Sequence, residues 1–487
     1  MRSYQTNQII EQLKFNNGLT WAYSILWLIL SIELQPISLS LPLLLIGMVN
    51  TGFSFIHQLL LYRVKQKTFR AESKRTFERS LAALLILGIV TGNIFTFISG
   101  IIAFKKSLST GLVYSIYMVL VDIMIIGVTS LNLFKPFVTN FYLPGLSVLI
   151  ITLIFHILIL VLGQKAYSWN PGFQKTAFGI LLLSGITGNI LVFLVAASYY
   201  VDDPSTLKGK RQTSIREKLI RNHAALLGLL FISFLLTLAV TSNFTFSYSF
   251  AVQNDYANIL QDPSIQYPFG TDNFGRDVFT RIVYGAQISL SVGVLATAIP
   301  LLIGGALGSV SGFYGRQTDN IIMRLLDILY AIPGLLLAIT IVAAFGASTT
   351  NLIIALSLGY IPSYARTMRA NVLQVTNLEY IEAARALGQN NKQIILKHVI
   401  PNSMAPMIVR STLTIGTAVI ATSSLSYLGL GVEAHVPEWG NILRIGSQYL
   451  ETYPYLAIYP GLAIILLVLS FNFLGDGIRD ATDPRLN

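Results

Sequence analysis

The stretch Thr376–Pro401, TNLEYIEAARALGQNNKQIILKHVIP, is a short polar island in a very apolar chain. It reads as two small helices joined at Gly388. Thr376 and Glu379 have the spacing of a capping box, in which each side chain reaches the other's backbone N–H. Leu378, Ile381 and Ala384 recur every three residues as a narrow apolar stripe, with Glu382 and Arg385 on the other faces. Gly388 suits the left-handed residue that closes a helix. Asn390 suits the cap of a second helix through Ile394, Ile395 and His398, which Pro401 is expected to stop. Two readings stand: a helix pair that docks onto something outside the membrane, or an ordinary cytoplasmic loop.

The surroundings of the island decide the fold class. Of 487 residues, 53% are hydrophobic and 11% charged, and the mean hydropathy is +0.64. Soluble proteins carry about 25% charge, so this composition belongs in a bilayer. A net charge of +11 would suit nucleic acid, but the charges cluster in short loops between apolar runs, the pattern of positive-inside topology. Without Cys the chain has no disulfides, thiolate metal sites or Cys catalysis. Residues 1–17 are polar with few charges, and no small-residue cleavage site follows the first apolar run. That run reads as a retained membrane helix rather than a signal peptide.

Runs long enough to span, about 20 residues each, fall at 18–35, 37–62, 80–104, 108–134, 137–163 and 176–200. A second set falls at 224–244, 285–314, 321–346, 351–372, 404–431 and 453–475. The expectation is an all-α integral membrane protein of about twelve transmembrane helices, with Gln35–Pro36 as a wedge between the first two. Charge orients them. Residues 63–79 hold seven basic side chains against Glu72 and Glu78, and 202–223 hold six, from Lys208 to Arg221. Residues 366–401 hold Arg366, Arg369, Arg385, Lys392 and Lys397. The 245–284 and 432–452 loops are instead acidic. Twelve spans with both termini cytoplasmic put the basic segments inside and the acidic loops outside. Lys105-Lys106 is the discord, because the count leaves it outside.

The polar segment 202–223 divides the chain into an N-terminal bundle, 1–201, and a C-terminal bundle, 224–487. Thr-Gly-Asn-Ile occurs at 91–94 and again at 187–190, 96 residues apart. An internal duplication with three spans per repeat would make the two halves inverted. Recurrence of Gly and Thr at close helix contacts explains the echo equally well.

No phosphate-cradling G-x-x-x-x-G-K-[ST], H-E-x-x-H or serine-elbow pattern occurs, so neither ATP hydrolysis nor hydrolytic chemistry is expected here. The five His are scattered and read as structural, and no metal site is expected. Intramembrane charge is functional by default. Asp122 and His156 lie in consecutive spans and would pair inside the first bundle, as a polar contact or a proton relay. Arg324 and Asp327, one turn apart before Pro333, would form a local ion pair. Tyr267–Leu290, YPFGTDNFGRDVFTRIVYGAQISL, reads as a structured external loop. Asp272 or Asp277 could there pair with Arg276 or Arg281, and the loop would face a soluble partner or act as a lid.

Glu382-Ala383-Ala384, with Gly388 six residues after the Glu and Ile400-Pro401 at the end, resembles the EAA loop of ABC importer permeases. Gly270-Thr271-Asp272 and Gly275-Arg276-Asp277 resemble the external signature of the C-type permease subunit of oligopeptide, dipeptide and nickel importers. The resemblance runs from about Gln212 to Asn487 and includes Leu219-Ile220-Arg221-Asn222 and Met323-Arg324…Asp327…Pro333. It implies a type I importer permease domain at 224–487, preceded by a cytoplasmic linker at 202–223. Coupling to the ATPase would fall to Glu382, Ala383, Ala384, Arg385, Gly388 and Pro401.

The resemblance implies transport of peptides across the cell membrane, with nickel or a metallophore as the alternative solute and an ion-coupled secondary transporter as a different class. The chain itself would hold no cofactor and would not be an enzyme. ATP and Mg would bind two partner ATPase subunits. A second permease subunit, an extracellular substrate-binding lipoprotein and membrane lipid complete the implied partners, and nucleic acid is not among them. His398 stands where the general EAA pattern has an apolar residue. Residues 1–201 lie outside the family pattern altogether.

Overall fold

The computed structural model describes residues 2–34, 37–67, 76–104, 108–163, 170–200 and 214–483. The wedge at Gln35–Pro36, Lys105-Lys106, and much of the basic segments at 63–79 and 202–223 lie outside the described residues. In the N-terminal region the helices are α1 (Arg2–Leu30), α2 (Leu41–Lys67), α3 (Thr76–Ile86), α4 (Ile94–Phe104), α5 (Thr110–Ser130), α6 (Tyr142–Leu162), α7 (Pro171–Ser184) and α8 (Leu191–Tyr200). A short antiparallel hairpin, β1 (Ile32–Leu34) and β2 (Ile37–Leu39), joins α1 to α2. Then come α9 (Ile215–Arg221), α10 (His223–Thr245), α11 (Ser249–Val252), α12 (Val278–Tyr314), α13 (Arg316–Tyr330), α14 (Gly334–Phe345) and α15 (Thr349–Thr376). The chain closes with α16 (Glu379–Ala386), α17 (Asn391–Ile394), α18 (Ile400–Tyr427), α19 (Trp439–Ser447) and α20 (Tyr455–Thr482).

The all-α membrane class holds, but the structure does not confirm an even row of twelve spans. Among the described residues seven helices are by themselves long and apolar enough to cross a bilayer. The pair α13 and α14, bent by 76°, makes an eighth if counted as one. α1 is long but carries a buried polar stripe of Gln12, Asn16, Thr20 and Ser24. The runs 80–104 and 176–200 are not single helices. Each breaks at its Thr-Gly-Asn-Ile stretch, where Gly92 and Gly188 take left-handed φ of 73° and 94°. The flanking helices have 10 to 14 residues, about 15–21 Å of rise, where a bilayer core is about 30 Å thick.

The chain groups into two compact units: Met1–Leu120 with Phe155–Leu181 and Leu191–His223, and Val121–Ile154 with Leu182–Ile190 and Ala224–Asn487. In the first unit α3 and α4 fold back on each other, with Gly100 against Ala82 O and Ile86. The Tyr199 ring, near the end of α8, lies against Gly111 at the start of α5 and Gly163 just after α6. Hydrogen bonds zip α1 to α2: Ser24 to Ser54 at 2.9 Å and Thr20 Oγ1 to His57 Nδ1 at 3.3 Å. The break at 91–94 joins through Asn93 Nδ2, which donates to Asn50 Oδ1 at 3.1 Å.

The second unit holds the C-terminal bundle. α12 and α15 run side by side in the same direction, with Gly304, Gly308 and Gly312 facing Ile361, Ala365 and Arg369 in turn. Such small-residue stripes let membrane helices approach closely, where lipid supplies no hydrophobic drive. α10, α12, α18, α19 and α20 bury Ile232, Leu290, Val419, Trp439 and Leu467 in one core. Two segments of the N-terminal region belong to this unit. Gly188 packs on the backbone of Leu236 and Thr237, and Gly145 on Phe244.

Candidate functional site

The island begins inside a helix. α15 continues through Thr376, whose Oγ1 donates to Leu373 O at 3.2 Å, so the expected capping box with Glu379 does not form. Leu378 occupies the cap without a side-chain bond and is half exposed, while Ile381 and Ala384 are buried. Gly388 closes α16 as expected. Its φ is 79°, its N–H donates to Arg385 O, and that of Gln389 donates to Ala384 O. This is a Schellman closure, and it requires the left-handed residue that glycine supplies without strain. Asn390 caps the next helix by accepting from Gln393 N at 2.8 Å.

Pro401 does not end that helix. α17 passes through one π turn, Ile395–Val399, into α18, so that Asn391–Tyr427 runs on as one 37-residue segment. Proline is tolerated in a first turn because its missing N–H is not needed there, and the π turn admits the extra residue. His398, the departure from the general pattern, joins Gln389 across the hairpin at 2.8 Å between Nε2 and Oε1.

The hairpin therefore has an inner and an outer face. Ile381, Ala384, Ile394 and Val399 pack on Tyr364, Met368, Val372 and Met407 of α15 and α18. Glu382, Ala383, Arg385 and Gly388 point outward. Leu387 is 82% exposed and Leu396 65%. Of the two alanines expected to couple to the ATPase, Ala383 is exposed and Ala384 is buried. Glu382 has no ion-pair partner among the described residues, and Arg385 lies 5.5 Å from the Phe313 ring centroid.

The Gly-Thr-Asp and Gly-Arg-Asp motifs are built the opposite way. Asp272 is 2% exposed, Arg276 5%, Asp277 1% and Arg281 0%. Asp272 accepts from the backbone N–H groups of Phe274 and Arg276, and its Oδ2 takes Arg276 Nε at 2.8 Å. Arg281 Nε lies 3.7 Å from the same oxygen, and its Nη1 donates to Ala251 O at 2.8 Å. Asp277 caps α12 through the N–H groups of Phe279 and Thr280. Thr271 pairs with Asp277 in an isolated antiparallel bridge. A Cβ on Gly275 would fall 1.7 Å from Asp255 O, so no other residue fits there.

The cation on Asp277 is one that sequence reading missed. Lys135, from the turn between α5 and α6, places Nζ on Asp277 Oδ2, and both side chains are buried. Its only signal was a lone charge between two apolar runs. This contact also moves the 131–141 turn to the side of the 245–284 loop, where twelve spans had put it opposite.

Asp327 does not pair with Arg324. It pairs with Arg366 of α15, whose guanidinium sits 4.1 Å from the Tyr330 ring centroid. Arg324 is exposed. Three residues of separation allowed the local pair, but the tertiary partner from α15 takes it. One turn deeper Arg369 pairs with Asp319. Asp122, buried on α5, accepts from Asn189 Nδ2 at 2.9 Å, and Asn189 Oδ1 accepts from Ser233 at 3.0 Å. His156 is fully buried on α6.

Residues 304–487 match the family described as binding-protein-dependent transport system inner membrane component. The dipeptide transport system permease protein DppC of Alkalihalophilus pseudofirmus is 44% identical over 270 residues, which are 55% of this chain and 88% of that protein. The glutathione transport system permease protein GsiD of Pectobacterium atrosepticum is 39% identical over 289 residues, 58% of this chain and 96% of that protein. A solved inward-facing form of the MetNI methionine ABC transporter shares 21% identity over 42% of this chain and 97% of that one, at a TM-score of 0.34. With relatives of this identity matched over nearly their whole length, the chain belongs to the binding-protein-dependent inner membrane components, the permease subunits of ABC importers.

Proposed function

We propose that this chain is one membrane half of an ATP-driven importer of short peptides, with residues 224–487 as the permease domain. The observation that carries the reading is the outward face of the 376–401 hairpin. Its backbone is stapled by the Schellman closure and by Asn390, while Glu382, Ala383, Arg385 and Leu387 are left for another protein. An ATPase subunit is the partner that fits. Glu382 offers it an ion pair, Leu387 an apolar knob, and Pro401 lies in the first turn of the helix that carries the motion inward. Two ATPases, a second permease subunit and an extracellular binding lipoprotein complete the assembly. ATP and Mg act on the ATPases. Peptide is the favoured solute because the relatives quoted are named for a dipeptide and for glutathione, a tripeptide. Nickel and metallophores are the alternative.

The membrane is the cell membrane, with both termini cytoplasmic. The reading of 80–104 and 176–200 as helix pairs that turn back supports this. Each long helix pair of the N-terminal region then starts and ends inside. Phe104 and Thr110, which flank Lys105-Lys106, then fall on the cytoplasmic side, and the discord in the charge count disappears. Asp122 serves as a buried polar contact in this region rather than as a relay.

The test is uptake of labelled dipeptide, glutathione and nickel into vesicles holding the full complex. Peptide uptake that needs both ATP and the binding protein is expected. Uptake that persists without ATP defeats the reading, and nickel-only uptake replaces the solute.

A further inference from the structure

One turn of the sequence outside the family pattern, residues 131–137, lies within the second unit against the permease bundle. The turn uses three different devices on three successive elements of the bundle. Asn132 Nδ2 donates to Thr245 O at 2.8 Å, satisfying a carbonyl that the end of α10 leaves open. Phe137 stacks on Phe250 of α11 with ring centroids 4.5 Å apart and planes at 23°. Lys135 lies over the same ring at 4.9 Å and reaches Asp277 and Thr280 at the start of α12.

Charge makes Lys135 the critical member. The loop buries two carboxylates and two guanidiniums of its own. Both guanidiniums lie on Asp272. Asp277 is left with backbone N–H groups, the Thr280 hydroxyl and the ammonium of Lys135. A buried carboxylate that loses its only cation is left uncompensated, which is a far worse state than the pair or its neutral replacement.

We propose that the turn joining α5 to α6 acts as a brace on the outer end of the permease, with Lys135 as the positioning residue that holds the 253–277 loop and the start of α12 in the shape the external binding protein engages. This rests on the loop being external, as read above. The brace gives residues outside the family pattern a part in transport without any contact with solute.

The experiment is a double-substitution cycle in the full-length chain, assembled with its partner permease, ATPases and binding protein. The variants are Lys135→Met, Asp277→Asn, both together, and Lys135→Arg. The readout is the ratio of ATP hydrolysis with binding protein to hydrolysis without it. Lys135→Met is expected to lower that ratio at least tenfold and Lys135→Arg to keep most of it. The double variant should exceed Lys135→Met alone, because it removes the orphaned charge. Wild-type stimulation in Lys135→Met overturns the proposal, and so does a double variant showing only the product of the single effects. The same cycle read as unfolding midpoint of the full-length chain in detergent covers failure of Lys135→Met to assemble. Coupling there supports the proposal, and additivity overturns it. A wild-type complex that shows no stimulation by the binding protein is a failure of the transport reading, and the unfolding cycle still decides the brace.

Discussion

The 376–401 hairpin and the 267–284 loop carry the two motifs of the same family pattern, and they use their charges in opposite ways. In the hairpin the backbone is stapled from within and Glu382 and Arg385 stand in solvent. In the loop Asp272, Arg276, Asp277 and Arg281 are buried and satisfy the loop's own architecture. The motif in the first case leaves its charges exposed, and in the second makes them internal struts. The difference teaches that charge in a signature does not by itself mean a docking site. Burial decides.

The sharpest way to break this contrast is Asp272→Ala, which leaves Arg276 and Arg281 buried without their shared carboxylate. Losing one partner of a buried pair costs about 3–5 kcal/mol, read as a lowered unfolding midpoint in detergent and poor membrane yield. A near-neutral result would mean that the loop is not built on these struts. Gly388→Pro comes next. It locks φ near −65° where 79° is needed and removes the N–H bound to Arg385 O. A cost of about 3 kcal/mol, confined to the hairpin, is expected, with uptake lost, the spans still inserted, and new protease cleavage near 388.

A pH test probes another buried charge on the side of the loop. Glu438 caps α19 by accepting from Gly440 and Asn441 N–H and from Ser423. Burial pushes its carboxyl above the usual range, against the pull of those bonds. A raised folded value gives stability that is present below the ordinary glutamate range and lost as pH rises through the raised value. Wild-type unfolding midpoints should therefore fall from acidic to neutral pH, and Glu438→Gln should flatten that slope. An equal slope in both proteins would remove Glu438 as its source. The smallest structural effect belongs to Glu382→Lys and Leu387→Asp. Each should change stability by about 0.5 kcal/mol or less, as surface substitutions do. Each should nevertheless cut ATPase co-purification and peptide-driven hydrolysis. Normal coupling in both would take the hairpin out of the contact.

Much of this was legible in the sequence. Turn chemistry at Gly388 and Asn390 is local, so residue type alone was enough to place it. The failures share a cause, which is tertiary competition. Thr376 is claimed by the preceding helix, Asp327 by Arg366, and Pro401 is absorbed by a π turn one residue before it. Hydropathy cannot tell a span from two half-length helices that turn back, because lipid and protein interior are equally apolar. Only the left-handed backbone at Gly92 and Gly188 separates them, and Gly at those places also suits plain helix packing.

The unbroken helix from Asn391 to Tyr427 has a mechanical consequence. At 1.5 Å per residue its 37 residues make a rod of about 55 Å. One tip stands in the hairpin, and the last third crosses α12 where Gly293 meets Ile415 and Val419. A rod held at such a narrow crossing pivots. A few ångströms of sideways travel at the hairpin would reappear, with opposite sign and at less than half the size, at Tyr427 and the segment leading to α19. Gearing of this kind needs no chain of side-chain rearrangements between the two faces of the membrane, only a stiff shaft and a fulcrum.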